Sequence, residues 1–334
     1  MARRNNRIRL GHGSGGLLTN RLIKDIILRY FKSPILKLLE DAAQIKSSGT
    51  DLAFTTDSYV IDPIFFPGGD IGMLAIYGTV NDLAMKGAIP KYLSFSVIIE
   101  EGFAIDKFER IIRSAAQAAR HAQVQVVCGD TKVVEKDKAD SIFITTAGIG
   151  VIKIDLGKKH IKPDDVIIVS GTIGDHGVAI MNERLNLGLR SIIKSDAAPL
   201  NLLTRSLLKF RSSIHFMRDP TRGGIVSVLN EMVDGSKMGI IINEEDVPIK
   251  REVIGATDIL GIDPLYIANE GKLVCVAEKK AAGKILKIMK AHKLGKDAAI
   301  IGKVTREPGV WLKTRIGGIH PLLQLEAEGL PRIC

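Results

Sequence analysis

The chain has 334 residues, 46% hydrophobic and 25% charged, a globular balance with room for one large domain or two ordinary ones. Its net charge is +10, with Arg3, Arg4, Arg7 and Arg9 crowded into the first ten residues. That basic end reads either as a solvated tail or as a contact for an acidic partner, but no Cys/His finger or aromatic RNA-binding strand accompanies it, so no nucleic-acid partner is expected. No apolar run approaches the ~18 residues of a membrane helix, and no apolar stretch follows the basic start, so neither a membrane nor a signal peptide is expected and the location is expected to be cytoplasmic.

In chain order, a helix is expected from Leu17, after the glycine-rich GHGSGG (11–16). LAFTTDSYVI (52–61) is apolar and β-branched and predicts a strand; IGMLAIYGTVNDLAMKG (71–87) has helical spacing and stops on Gly87. SFSVIIE (94–100) predicts a strand. Apolar residues at Phe108, Ile111, Ile112, Ala115, Ala116 and Ala119 mark an amphipathic helix from Ile105. VQVVC (124–128) and SIFITTAGIGVI (141–152) predict further strands, and the polar GKKHIKPDD (157–165) a domain boundary. The second half again mixes the two kinds of element, with strands at 165–171, 239–244 and 272–278, helices through about 210 and at 222–235 and 281–295, and closing strands in AAIIGKV and GVWLKT. Both halves combine buried strands with covering helices, which predicts an α/β fold of the α+β type.

Three cysteines, Cys128, Cys275 and Cys334, are too few and too odd for a disulfide framework and suit a reducing compartment. Seven histidines without i,i+3 or i,i+4 spacing suggest no zinc site.

GHGSGG matches GxGxxG only formally, because no proper strand precedes it; it is either a flexible connector or a mobile loop whose N–H groups wrap phosphate. No GxxxxGK[ST] occurs, which excludes a Walker-type site. Asp57 in TTDS, Asp82 in GTVNDLAMKGA and Asp130 in CGDTK each sit at or within an apolar element among small residues. Singly each reads as a cap or turn residue; together they suit Mg²⁺ held between protein and nucleotide phosphates. SGTIGDHGVAI carries Asp175 and His176 in a strand-to-helix turn, and MRDPTRGG places Asp219, Thr221 and Arg222 at a helix start, a natural anion position. Glu270 in ANEGK reads alone as a turn carboxylate; in an apolar surround its pKa would rise enough for a base.

GHGSGG, TTDSYV, FFPGGDIG, GTVNDLAMKGA, EEGF, GDTKVV, SGTIGDHG, MRDPTRGG, ANEGKLV and the final PRIC together resemble one family, the hydrogenase maturation protein HypE, within the superfamily of aminoimidazole ribonucleotide synthetase and selenophosphate synthetase. The resemblance spans nearly the whole chain. It implies a two-domain aminoimidazole ribonucleotide synthetase-like fold whose N-terminal sheets pair across a homodimer, with a flexible C-terminal tail. Four segments are expected: a leading segment (1–40), an N-terminal ATP-binding and dimerisation domain (41–156), a C-terminal α/β domain (157–320) and a mobile tail (321–334).

The implied reaction is dehydration of a carbamoyl group on Cys334 to a thiocyanate at the expense of ATP, supplying cyanide to the iron of a [NiFe]-hydrogenase. HypF as carbamoyl donor and a HypC–HypD complex as acceptor are the implied partners. By family position Asp57, Asp82 and Asp130 hold Mg²⁺ and ATP; Gly11, His12, Gly13, Gly15, Gly16, Asn81, Asp175 and His176 contact the nucleotide; Lys132 and Glu270 serve the carbamoyl end. The alternatives are a selenophosphate synthetase, which carries a reactive cysteine near the glycine loop that GHGSGG lacks, and a purine-pathway ligase, which has no use for Cys334. The tail is expected to form a short helix over LLQLEAEG (322–329) and then run extended before Pro331.

Overall fold

Two sheets, each built by one half of the chain, carry the computed structural model, which describes residues 7–14, 16–31, 33–47, 49–188, 193–327 and 332–334. Arg3, Arg4, Gly15 and Pro331 lie outside the described residues.

The leading segment forms α1 (Leu17–Leu22) and α2 (Leu28–Phe31), joined by a π-helical turn, Ile23–Ile27. The first half then supplies β1 (Ala43–Ile45), β2 (Leu52–Tyr59), the short pair β3 (Phe65–Phe66) and β4 (Gly69–Asp70), α3 (Ile71–Met85), β5 (Ala88–Glu100), α4 (Ile105–Ala122), β6 (Gln125–Val134) and β7 (Ile142–Ile152). The five-stranded sheet has the order β1-β2-β7-β5-β6, antiparallel except for the parallel β5–β6 edge pair. Period-two alternation sorts its side chains. Ala53, Thr55, Tyr59, Leu93, Val97 and Ile144 point inward and are buried, whereas Phe54, Tyr92, Ile98 and Ile149 stand exposed on the outer face. The inner face packs on α3, which starts where Asp70 Oδ1 accepts the Met73 N–H at 3.0 Å. That helix is buried nearly all round, so its polar residues Asn81 and Asp82 are held inside the molecule rather than on a solvated face.

The second half supplies β8 (Val166–Val169), α5 (Asp175–Leu185), α6 (Asn201–Leu207), β9 (Ile214–Arg218), α7 (Gly224–Val233), β10 (Gly239–Asn243), α8 (Arg251–Leu260), β11 (Val274–Ala277), α9 (Lys279–Ala291), β12 (Ala299–Thr305), β13 (Gly309–Lys313) and β14 (Ile319–Pro321). Its seven-stranded sheet runs β14-β13-β10-β12-β8-β11-β9, with only β10–β13 parallel. A shared apolar cluster joins the halves: Ile71, Leu74 and Ile144 from the first meet Val178, Ile180 and Val253 from the second, and Ile333 from the tail. Among the described residues no helix is long and apolar enough to cross a membrane.

The structure departs from the sequence expectation at several points. β6 continues through CGDTKVV instead of turning after Cys128, because Gly129 lets the Phe95 carbonyl approach within 2.1 Å of where a Cβ would stand. β9 and α8 come from segments without a clear period. Residues 322–327 form no helix: their backbone is spent on partners elsewhere, with Leu322 N–H donating to Val310 O at 2.8 Å and Leu325 O and Glu326 O accepting from Leu17 and Leu18 at 3.1 and 3.0 Å. A tail held at Glu326 has a shorter reach than one free from Pro321, about 23 Å when the residues beyond Ala327 are fully extended.

Candidate active site

The first domain brings three acids to the domain boundary. Asp41 precedes β1, Asp57 lies on the inner face of β2, and Asp82 on α3 faces it. Thr55 Oγ1 stands 2.9 Å from Asp82 Oδ2 and 2.8 Å from Asp41 O. A hydroxyl has one proton, so both contacts are satisfied when Asp82 is itself protonated. The second domain adds the end of β9 and the start of α7. Arg218 pairs with Asp41 at 3.0 Å and with Glu231 at 3.1 Å, bridging the two domains. Asp219 follows it.

Carboxylate oxygens of Asp41, Asp82 and Asp219 lie within 4.8 Å of one another. Burial, then the neighbouring carboxylates, pushes all three up: Asp41 to about 6, Asp219 to about 8, and Asp82 well above the usual range. Asp219 Oδ2 is buried without a hydrogen-bond partner among the described residues. An orphaned oxygen inside a ring of acids that repel one another fits a hard divalent cation, whose charge would hold all three ionised. The trio lines a cleft of about 400 Å³ between the domains, with Thr56, Asp57, Thr221 and Arg222 on its walls and Thr19, Asn20 and Lys24 of the leading segment over it.

At the other side of Arg222 lies the tail. Cys334 is half-buried in a hollow of about 80 Å³ that it shares with Gly13, Ser14, Ser58 and Arg222. Arg222 donates to Asp57 Oδ1 at 3.1 Å and also hydrogen-bonds Cys334, the residue that carries the terminal carboxylate; Cys334 foremost, then Asp57, raises its pKa. Ile333 is 2% exposed, and burying an isoleucine side chain favours the seated tail by ~1.5–3 kcal/mol.

Glu270 is 1% exposed and its Oε1 has no hydrogen-bond partner among the described residues. Burial first, then Asp219, Asp196 and Asp57, drives its pKa well above the ordinary carboxylate range against the pull of Arg222. Its backbone is fixed from both sides: Glu270 N–H donates to Asp196 Oδ1 at 3.1 Å, and Asn81 Nδ2 donates to Glu270 O at 3.1 Å.

The structure thus brings Asp57, Asp82, Glu270 and Cys334 together around Arg222, with Asp41 and Asp219 completing the acid ring. It does not bring Asp130 and Lys132 there. β6 pairs Asp130 with Ser96 and Lys132 with Ile98, so both side chains stand on the outer face, opposite Asp57. Lys132 Nζ bonds Asp130 at 2.8 Å in solvent and holds that carboxyl below its usual range.

Three residues expected at the nucleotide have their polar atoms engaged elsewhere. Asn81 bonds Ala198 O and Glu270 O through Nδ2, and Leu200 N–H through Oδ1. Asp175 takes Thr172 Oγ1 at 2.6 Å and Lys250 Nζ at 3.0 Å. His176 Nε2 meets Ile333 O at 2.7 Å. Of the described glycine loop, Gly13 and Ser14 line the hollow of Cys334, Gly11 and Gly16 pack on residues 325–327, where a Cβ on either would come within 2.8 Å of Ala327 Cβ or Leu325 O, and His12 bonds Arg9. Asp41 is not legible as a ligand in the sequence, since EDAAQ flanks only a three-residue strand.

The two sheeted domains that close on this acid-ringed cleft are those of an AIR synthase related protein: models of that family's N-terminal and C-terminal domains match residues 39–152 and 162–313. The chain is 46% identical to a carbamoyl dehydratase HypE from Rhizobium leguminosarum bv. viciae, over 99% of this chain and 96% of that one. In structure it matches a HypE–HypF complex (TM-score 0.87, 46% identity, 91% of this chain and 99% of that one) and a HypE in complex with ATP (TM-score 0.82, 44% identity, 98% and 100%). The chain belongs to the HypE family.

Proposed function

We propose that this protein binds ATP in the cleft and dehydrates a carbamoyl group carried on Cys334 to a thiocyanate. The observation that carries the reading is Cys334 seated against Arg222, whose charge also acts on the buried Glu270. The carbamoyl oxygen attacks the γ-phosphorus of ATP and ADP leaves. Glu270 takes one N–H proton, giving an imidate phosphate; breaking the C–O bond with loss of the second N–H proton releases phosphate and leaves S–C≡N. The oxygen ends in phosphate, so atoms balance without free water. Asp41, Asp82 and Asp219 would hold Mg²⁺, which supplies charge neutralisation for the phosphates. Arg222 orients the cysteine and Asp57, and the tail closes the site to solvent.

Asp130 and Lys132 fit this reading through a second copy. The outer sheet face exposes Phe54, Tyr92, Ile98 and Ile149, and among the described residues β6 leaves one edge unpaired. A homodimer formed over this face would carry Lys132 and Asp130 toward the other copy's cleft, where Lys132 could neutralise charge on the phosphorylated oxygen. HypF as carbamoyl donor is supported by the match to a HypE–HypF complex; a HypC–HypD acceptor, delivery to hydrogenase iron and a cytoplasmic site of action rest on the resemblance. We keep the division into 1–40, 41–156, 157–320 and 321–334 as the working domain map. ATP hydrolysis measured with HypF and carbamoyl phosphate tests the reading: Cys334→Ala should abolish the HypF-dependent portion, and hydrolysis that ignores this change would overturn it.

A further inference from the structure

Two consecutive carbonyls, those of Arg332 and Ile333, and the terminal carboxylate of Cys334 are each met by a donor on another segment. Val60 N–H donates to Cys334 O at 3.1 Å and Asp62 N–H to Arg332 O at 3.3 Å, so the tail runs beside residues 60–62. The other donors come from α5, where His176 and Arg184 stand two turns apart, about 12 Å along the axis. His176 Nε2 lies 2.7 Å from Ile333 O and Arg184 Nη2 2.6 Å from Arg332 O; Arg184 also reaches Asp62 O through Nε at 2.9 Å. Arg332 completes the seat by donating to Val60 O at 2.9 Å and pairing with Asp140.

His176 is itself held for this task. A carbonyl only accepts, so Nε2 carries the proton and Nδ1 accepts from Ser195 Oγ at 2.8 Å. Burial keeps the ring neutral, and the edge of Phe66 meets it at 5.7 Å between centroids. Ser195 adjoins Asp196, whose Oδ1 receives the Glu270 N–H and whose Oδ2 receives Lys272 Nζ at 2.9 Å. One partly buried chain of contacts therefore runs from the tail's backbone to the backbone of Glu270.

We propose that His176, with Arg184, is a positioning residue that sets the register of the tail, so that Cys334 rather than a neighbouring residue sits at Arg222. The proposal rests on the dehydratase reading for its purpose but not for its geometry. These side chains read backbone, and the buried Ile333 side chain supplies the preference for what is seated. A side chain on Cys334 that must be loaded outside and processed inside needs a seat that is specific yet releasable, and a few hydrogen bonds plus one apolar anchor meet that need.

Alkylation of the full-length protein by iodoacetamide, followed by peptide mass, reads the seat without any turnover. Cys334 is half-buried when seated, so its rate rises with the released fraction above the rate of the seated form. Cys275 is 0% exposed inside β11 and reports global opening in the same sample. Removing the His176 donor leaves Ile333 O buried and unmet, so His176→Ala should speed alkylation of Cys334 about tenfold with Cys275 unchanged. His176→Gln, whose amide can donate to the same carbonyl, should return the rate toward wild type. In carbamoyl transfer and dehydration, His176→Ala should leave HypF loading intact and slow the dehydration step. An unchanged Cys334 rate, a Gln variant no better than Ala, or a parallel rise at Cys275 each overturns the proposal. Loss of ATP-dependent dehydration in the wild type would instead strike the functional reading alone.

Discussion

Glu270→Gln separates catalysis from stability at one atom. The carboxyl is 1% exposed, has an oxygen with no partner among the described residues, and faces Asp219, Asp196 and Asp57. Its folded pKa stands above the ordinary value of 4.5, so the folded protein holds this proton more tightly than the unfolded chain. The associated stability is fully present below that ordinary value and is lost as pH rises through the raised one. Glutamine stays neutral throughout, so its advantage over glutamate grows across the same window. That advantage is about 1.4 kcal/mol for each pH unit between the ordinary value and the raised one, and it raises Tm by ~2–4 °C per kcal/mol for domains of this size. The same change removes the base and should slow dehydration by roughly 10²–10⁴-fold. Single-turnover conversion of carbamoylated protein, quenched and read by mass, gives the rate; thermal unfolding at several pH values gives the stability. A variant that dehydrates at the wild-type rate, or that is less stable than wild type at neutral pH, would refute this account of Glu270.

The acid ring makes a second pH prediction. Without a divalent cation, stability should fall as pH rises from the ordinary Asp value of 3.8 through about 6 and about 8, where Asp41 and Asp219 release protons. Added Mg²⁺ should raise Tm most at the upper end of that window, and Asp82→Asn should blunt the effect; differential scanning with and without EDTA checks both. Asn81→Ala removes bonds to Ala198 O, Glu270 O and Leu200 N; leaving those groups buried should cost about 2–4 kcal/mol in urea unfolding and lower activity with it. Tyr92→Glu with Ile98→Glu should convert a dimer to monomers in sedimentation. Mixing inactive Lys132→Ala and Glu270→Gln proteins should restore activity, since a hybrid dimer keeps one intact site; no recovery after subunit exchange speaks against a shared site.

Much of the site is legible in the sequence because its residues break the pattern of the elements around them. Asp57 interrupts an apolar strand, Asn81 and Asp82 interrupt a helix that is otherwise apolar all round, and Glu270 and Arg222 stand at Gly-flanked turns. Legibility ends where partners are remote along the chain. His176 and Asn81 are visible as unusual, but their bonds run to Ile333 and to Ala198, 157 and 117 positions away, and no local spacing encodes that. Gly129 has the look of a turn residue, which puts Asp130 just past a strand. The strand instead goes on, and its alternation moves Asp130 to the opposite face from Asp57. Asp41 lacks an apolar run to stand out against. The tail's irregular path reflects bonds to Leu17, Leu18 and Val310, which outcompete a short isolated helix.

We propose Cys334 as the substrate carrier. The most direct test is the mass of the C-terminal peptide after incubation with HypF, carbamoyl phosphate, Mg²⁺ and ATP. In wild type Cys334 should gain a carbamoyl adduct that then loses one water, and in Glu270→Gln the adduct should persist. A cysteine left unmodified by active HypF would contradict the proposal.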